Sequence, residues 1–467
     1  MARTDTLGHY LTDVADAIRA KGGTSATITA SDFDTAIANL PSGGTTVEKN
    51  DVTYFDYDGT ILYSYTKAQF LQLSAHPESP TYDDLTFEKW NWDLSDAKTY
   101  VTKWGKLNIG AQCYTTDDKD HIYIKTPKNN STLTLFLHAA GTTSSDKVDW
   151  GDGSPEEDIT NNGAYTTNNH TYATAGEYVI KVTNTSNHLH FANFGTNTRA
   201  SFLRNGSGNS QSSYNSTPIS WVTKIAFSKY YDYYNSNGVF AGMPNLRAIA
   251  LSSNSKGILN YGQYNFRYSP YLKYITCPDG LTSLSSNAFQ DTGLEHISFP
   301  KSFKTLNGSC LLRTRVEELY FPENTSGSLS STCCQACYQA KEIICPIVPS
   351  SGGLTNQAFD SCMNTETLIL GEFTTINLAA IASMQSLKEL KVPSTVTSIS
   401  QNSYGLMSLM VLDFSDHTAI PSLSSSTALN NVNTEFKIIV PDDLYSTWIT
   451  TGNWGSYSSH IVKASEA

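Results

Sequence analysis

The chain has 467 residues, 39% of them hydrophobic, which is room for about three domains rather than one. A balance of 31 Lys and Arg against 43 Asp and Glu leaves a net charge of -12, which speaks against a grip on duplex phosphates because no basic stripe relieves it. With 27 Tyr and 19 Phe the chain is too aromatic to be disordered, and no apolar run approaches the ~18 residues of a membrane span. The opening segment lacks the apolar run of a secretory leader, so a soluble protein outside signal-peptide export is expected.

Leu7, Leu11, Val14 and Ile18 mark one face of a first helix that Gly22 and Gly23 stop. Ser31 caps a second helix, whose apolar face is Phe33, Ile37 and Leu40 and which Pro41 ends. Some forty residues bury little surface alone, so this hairpin is expected to dock on a larger body. Residues 1–44 resemble the opening module of phage and prophage tail or baseplate-associated proteins.

The run VTYFDYDGTIL is similar to the Asp-x-Asp-Gly-Thr motif of haloacid-dehalogenase-type phosphatases, with Asp56 as nucleophile and Asp58 as acid/base. The doubly wound α/β domain that this chemistry needs has nowhere to sit. A β-hairpin with arms at 52–57 and 60–65 and a type I′ turn at Asp58-Gly59 is the better reading. Beyond it, Thr66 with Gln69 forms a capping box, and Ser95 starts a helix that runs to Trp104 and stops at Gly105. Two strands follow, joined across residues 117–120. This stretch resembles a linker module of gut-bacterial phage proteins.

From Ser131 the pattern is all-β. Trp150-Gly151-Asp152-Gly153-Ser154, His170-Thr171-Tyr172 and Gly176-Glu177-Tyr178 resemble the marked motifs of polycystic-kidney-disease (PKD) type immunoglobulin-like domains. Trp150 is the expected core aromatic, and Tyr172 is expected to bury its ring while its hydroxyl reaches a backbone group. Asp152 reads as a turn residue rather than a calcium ligand, because one carboxylate falls far short of a calcium shell.

Self-similarity governs the C-terminal half. Segments starting at Val222, Leu246, Leu272, Leu294, Val316, Ala340, Thr365, Leu387, Leu409 and Glu435 recur every 22 to 26 residues in an L-x-x-L-x-L register. Pro278, Pro300, Pro322, Pro346, Pro393 and Pro441 stand six places after a start and should end each strand. The repeats resemble the BspA-like class of leucine-rich repeat, with a C-terminal cap of that class. Cys277, Cys310, Cys334, Cys337, Cys345 and Cys362 occupy inward positions that elsewhere hold Phe, Met, Leu or Val, so they read as small buried hydrophobes rather than a zinc knuckle or a disulfide framework.

Two loops are more aromatic than the repeat requires. Tyr230, Tyr231, Tyr233, Tyr234, Tyr261, Tyr264, Tyr268 and Tyr271 are the candidate binding residues, since rigid aromatics among Asn, Ser and Gly make recognition surfaces. The expected fold is multidomain and mainly β: a helical docking hairpin (1–44), a small α+β module (45–125), an Ig-like sandwich (126–186) and a leucine-rich-repeat solenoid (187–467). The expected function is that of a non-enzymatic phage virion protein at the tail or baseplate, with no cofactor, no metal, no nucleic acid and no membrane insertion. Its expected partners are other virion proteins through the hairpin and, through the repeats, a bacterial surface polysaccharide or protein or a mucin-type glycan; a homo-oligomer is compatible. The alternatives are a bacterial cell-surface BspA-like adhesin and a capsid decoration protein.

Overall fold

Strands β1 (Val52–Phe55) and β2 (Ile61–Tyr65) form the hairpin expected at 52–65. In this computed structural model the described residues are 49–139, 146–159, 165–183, 189–191, 202–205, 220–231, 237–354, 357–400 and 405–467. The expected helical hairpin at 1–44 lies outside them. The turn differs from the type I′ expectation. Gly59 accepts the positive φ, at 93°, and its N–H returns to the Asp56 carbonyl at 3.1 Å while the Asp56 N–H donates to the Thr60 carbonyl at 2.8 Å. That is a longer loop with a bulge, and the register shift at Tyr54 and Phe55 records it.

The Thr66 and Gln69 capping box starts a short helix, Lys67–Leu71. Helix Leu94–Trp104 begins after Asp93 rather than Ser95, and Gly105 ends it at a φ of 90°. Strand β3 (Leu85–Trp90) pairs antiparallel with β4 (Leu107–Thr115), and β4 pairs parallel with β1, giving the order β2-β1-β4-β3.

Strand β5 (Lys119–Lys125) leaves this sheet and enters the sandwich, so the boundary expected at 125 moves upstream. The first sandwich sheet also holds β7 (Lys147–Asp149), β8 (Glu157–Asp158) and β10 (Glu177–Thr183). The second holds β6 (Ser131–Ala139), β9 (Tyr165–Tyr172), β11 (Leu189–Phe191) and β12 (Leu203–Asn205). The sandwich therefore continues past the boundary expected at 186. Ile122, Leu133, Leu135, Val148, Trp150, Tyr172 and Ile180 from the two sheets share one core. Tyr172 donates its hydroxyl to the Trp150 carbonyl at 2.9 Å, as its sequence context implies. Asp152 accepts from Ser154 N–H at 3.0 Å and lies 2.8 Å from His170 Nε2, a turn residue in its own loop.

β13 (Val222–Ala226), the first repeat strand, pairs antiparallel with β5 on one side and parallel with β14 (Ala248–Ala250) on the other, so sandwich and solenoid share a sheet. In the nine repeats that follow the first, the strand begins two residues after the sequence start, at Ala248, Tyr274, His296, Glu318, Glu342, Thr367, Glu389, Val411 and Lys437. The six prolines follow these strands. A second set of short parallel strands, from Ser283–Leu284 to Ser422–Leu423, runs along the other side.

Asp120 is fully buried at the start of β5, where its carboxylate accepts the Ser228 N–H at 2.8 Å. Burial dominates and pushes its pKa up to about 7, against the opposing Ser228 bond. A raised carboxyl pKa means that the folded state holds a proton the unfolded chain has already lost, so stability falls as pH rises from about 4 to about 7. Asp120→Asn keeps an acceptor for Ser228 and should remove that slope. The expected gain is about 2 to 4 kcal/mol at pH 7 and almost nothing at pH 4, read from denaturant melts of both proteins across that range. Parallel pH profiles would refute it.

Candidate recognition surfaces and the sites around them

A strand rises about 3.3 Å per residue and neighbouring strands lie about 4.8 Å apart, so a nine-residue strand laid across a ladder meets about six rungs. β4 is laid across the repeats in this way. Thr115 N–H donates to Phe227 O at 3.1 Å and Cys113 N–H to Leu251 O at 3.0 Å. At Gly110 a Cβ would stand 2.3 Å from Thr276 Oγ1 and 2.4 Å from the Tyr274 hydroxyl, so only glycine allows this approach. Asn108 Nδ2 reaches Glu318 Oε1 at 2.8 Å, and Lys106 Nζ reaches Glu342 at 2.8 Å.

Flanking groups complete the docking. Asn91 Nδ2 donates to the carbonyls of Cys277 and Ser298 at 3.1 Å each, Trp92 Nε1 to Phe299 O at 2.6 Å, and the Tyr100 hydroxyl to Phe321 O at 2.7 Å. At the centre lies Glu318, 5% exposed, with His296 Nδ1 at 2.9 Å and Lys49 paired to the same carboxylate. Burial alone would raise the Glu318 pKa; His296 and Lys49 overcome it and hold it at about 2. His296, Glu317 and Glu318 are also the one set of three metal-type ligand atoms within 4.8 Å of one another among the described residues. A cation there would have to displace Lys49 and Asn108 from a carboxylate they already satisfy.

The strand face of the early repeats is therefore covered by the chain's own module. Their far edge is not covered by this module, and it is built on an unusual backbone. Two residues per repeat, four apart, take positive φ: Gly238 and Gly242, Tyr264 and Tyr268, Asn287 and Asp291, Ser309 and Arg313, Thr332 and Ala336, Gln357 and Ser361. Non-glycine residues in this region cost about 1 kcal/mol or more each and persist only where the surroundings enforce them. Here successive turns enforce them, for Tyr268 N–H bonds Gln290 O and Arg313 N–H bonds Gln335 O in the next repeat.

On this edge the Arg267 guanidinium lies 5.4 Å from the Tyr264 ring centre and 4.4 Å from that of Tyr268. In the next repeats Arg313 grips Asp291 through two bonds, of 2.6 and 2.9 Å, and lies within electrostatic reach of Tyr268 and of Tyr338, which is 45% exposed. Tyr261 and Tyr271, which flank this segment in the sequence, are each 53% exposed.

The candidate tyrosines thus divide. Tyr264 and Tyr268 stand on this edge beside Arg267, and Tyr261 and Tyr271, on either side of them in the sequence, are exposed. Tyr230 is exposed, but it sits by Lys229, which reaches Asp118. Tyr231 is a correction: it is fully buried, with its ring 5.6 Å from Phe191 and 4.4 Å from Phe227, because the sandwich closes over the first repeat. Tyr233 and Tyr234 lie outside the described residues. Arg267, Arg313 and Tyr338 escaped the sequence reading, although aligning the positions three or four places before each start puts Tyr268, Asp291 and Arg313 in one row.

Asp56 accepts from the Tyr82 hydroxyl at 2.5 Å and from Tyr57 N–H at 2.7 Å, and burial raises its pKa; Asp58 accepts the Thr60 N–H of its own turn at 2.9 Å. Both carboxylates hold the hairpin. The eight cysteines are buried and unbridged. One placement shifts. Phe266, Phe289, Leu311, Cys334 and Phe359 follow one another along the ladder, so Cys310 belongs with Ala288, Cys333 and Ala358 in the adjoining row of small residues. The shift arises because Phe289 and Leu311 stand five residues before their repeat starts, whereas Phe266, Cys334 and Phe359 stand six before theirs.

The arrangement defines a mainly β protein that ends in a leucine-rich-repeat solenoid. The repeats are of BspA type: the model of the BspA type leucine rich repeat region matches residues 235–351 and 335–432, in six copies. No curated protein matches the chain. Among solved structures it is similar to a leucine-rich repeat protein from Bacteroides ovatus ATCC 8483, at 15% identity over 47% of this chain and 66% of that one, with a TM-score of 0.34. It is also similar to a leucine rich cell surface protein from Faecalibacterium prausnitzii A2-165, at 17% identity over 40% of this chain and 63% of that one, with a TM-score of 0.20. The chain spans slightly less than two thirds of either.

Proposed function

We propose that this chain is a non-enzymatic surface-recognition protein, a bacterial cell-surface adhesin of the BspA-like class that reads a mucin-type glycan or a surface polysaccharide. The observation that carries the reading is the edge of the repeats, where Tyr264, Arg267, Tyr268, Arg313 and Tyr338 gather beyond a strand face closed by the chain's own module. Aromatic rings offer sugar C–H faces large contact at low ordering cost, and the Arg267 guanidinium supplies fixed donors. In this reading the PKD-like sandwich is a spacer.

A phage virion role at the tail, baseplate or head is the second reading. It is favoured by the resemblance of residues 1–44 to the opening module of tail-associated proteins, a segment that would dock on other virion proteins.

The test is binding of the full chain to immobilised mucin-type glycans and bacterial polysaccharides, beside Arg267→Ala and Tyr338→Ala. Arg267→Ala should weaken capture about tenfold, the loss of roughly 1.4 kcal/mol, and Tyr338→Ala by several-fold. Capture of no glycan, or equal capture by all three proteins, would overturn the assignment.

A further inference from the structure

Where β5 meets the first repeat the strands do not pair evenly. Val222 faces Ile124 and Lys224 faces Tyr123, so Thr223 is the extra residue of a β-bulge. Bulges re-aim side chains and open a sheet locally. Here Thr223 lines two adjoining clefts, of about 630 and 410 Å³, that share Lys125, Glu177 and Arg247 with it. Trp221 and Asn245 complete the wall of the larger cleft and Tyr178 that of the smaller.

The chemistry of this wall is specific. Arg247 is exposed, and its guanidinium has no hydrogen-bond or ion-pair partner among the described residues, in a protein of net charge -12. Lys125 lies 3.0 Å from Glu177, with side chains 68% and 75% exposed, an ion pair weak enough for a bound anion to displace. The remaining uncharged polar groups are hydroxyls and an amide, at Thr126, Ser220, Thr223 and Asn245, beside three aromatic residues, Trp221, Tyr123 and Tyr178. β5 is already paired with β10 on one side and β13 on the other, so no strand edge is open here for a peptide to extend.

We infer that this cleft is a second binding site, distinct from the edge of the repeats, for a carboxylate-bearing saccharide of the sialic or uronic acid class. Arg247 holds the carboxylate through its planar fork, Lys125 supports it, and the hydroxyl and amide groups take the ring hydroxyls. Volumes of this size admit a short oligosaccharide.

Titration calorimetry of the full chain tests it with sialyllactose, glucuronic acid, neutral lactose and a glutamate-rich peptide as probes. The two sugar acids should bind and lactose should not. Arg247→Ala should weaken the acids at least about tenfold and Arg247→Lys nearly as much, because it keeps the charge but not the fork. Glu177→Gln should tighten them a few-fold. Arg247 is on the surface, so each variant should melt with the parent. Arg267→Ala should leave this binding unchanged, which separates the cleft from the repeat edge. Equal binding of lactose, tighter binding of the peptide, no binding of any acid, or an Arg247→Ala protein that binds like the parent would each overturn the inference.

Discussion

Replacing Phe289 by Ala should cost about 3 to 5 kcal/mol. The ring is fully buried and is the last of a stack in which Phe240, Phe266 and Phe289 lie 5.5 Å apart at interplanar angles of 13° and 11°. Each ring belongs to a different repeat, so its truncation removes contact between neighbours, the term that holds a solenoid together. The cavity cannot collapse readily, because Phe289 is fixed by its N–H bond to Cys310 O at 2.9 Å and Phe266 by its bond to Ala288 O at 2.8 Å. Tyr271→Ala, on the exposed edge of the same region, should cost less than about 1 kcal/mol. Chemical denaturation of both variants is the measurement, and a Phe289→Ala loss below about 1 kcal/mol would mean that the repeat frame is wrong.

A comparable loss is expected from Glu318→Ala, about 3 to 5 kcal/mol, for a different reason. Removing this carboxylate leaves Lys49, His296 and Asn108 with unmatched donors in the joint between the module and the repeats. The folded pKa is depressed, so the stabilisation is complete above the unfolded value of about 4.5 and is lost as pH falls toward about 2. The difference between parent and variant should therefore narrow across that acid range. Lys49→Met combined with Glu318→Leu should lose less than Glu318→Ala alone, since no charge is then left unpaired. Denaturation of the three proteins at pH 7 and pH 3 decides the matter. A loss independent of pH would assign Glu318 a packing role only.

The repeats were legible because their period is a property of the sequence itself. Every aligned start lies two residues before a strand from the second repeat onward, and the six cysteines that the register places inward, from Cys277 to Cys362, are buried. The docking of β4 across the ladder was not legible. It rests on single polar side chains, Asn91, Trp92, Tyr100 and Asn108, that meet carbonyls or a carboxylate some 190 to 220 residues away. No local periodicity marks such residues. Nor did the pattern reveal that β5 serves the sandwich rather than the module before it, since alternation fixes the faces of a strand but not its neighbours.

The candidate site was half legible. Tyrosine density drew attention to the loop at 261–271, where Tyr261 and Tyr271 are exposed, and also to Tyr231, whose burial follows from the sandwich packing on the first repeat. The left-handed stations hold Tyr, Asn, Asp, Ser, Arg, Thr, Ala and Gln as well as glycine, so among the twelve positions named the usual glycine signal is present at two, Gly238 and Gly242.

Presentation of the repeat edge at a bacterial surface is what separates the adhesin from a virion protein. Immunogold labelling with antibody to residues 357–467, applied in parallel to intact producing cells and to purified phage particles from the same culture, tests it most directly. Label is expected on the cell exterior, with the particles bare. Label confined to phage tails or heads would contradict it and establish the virion reading.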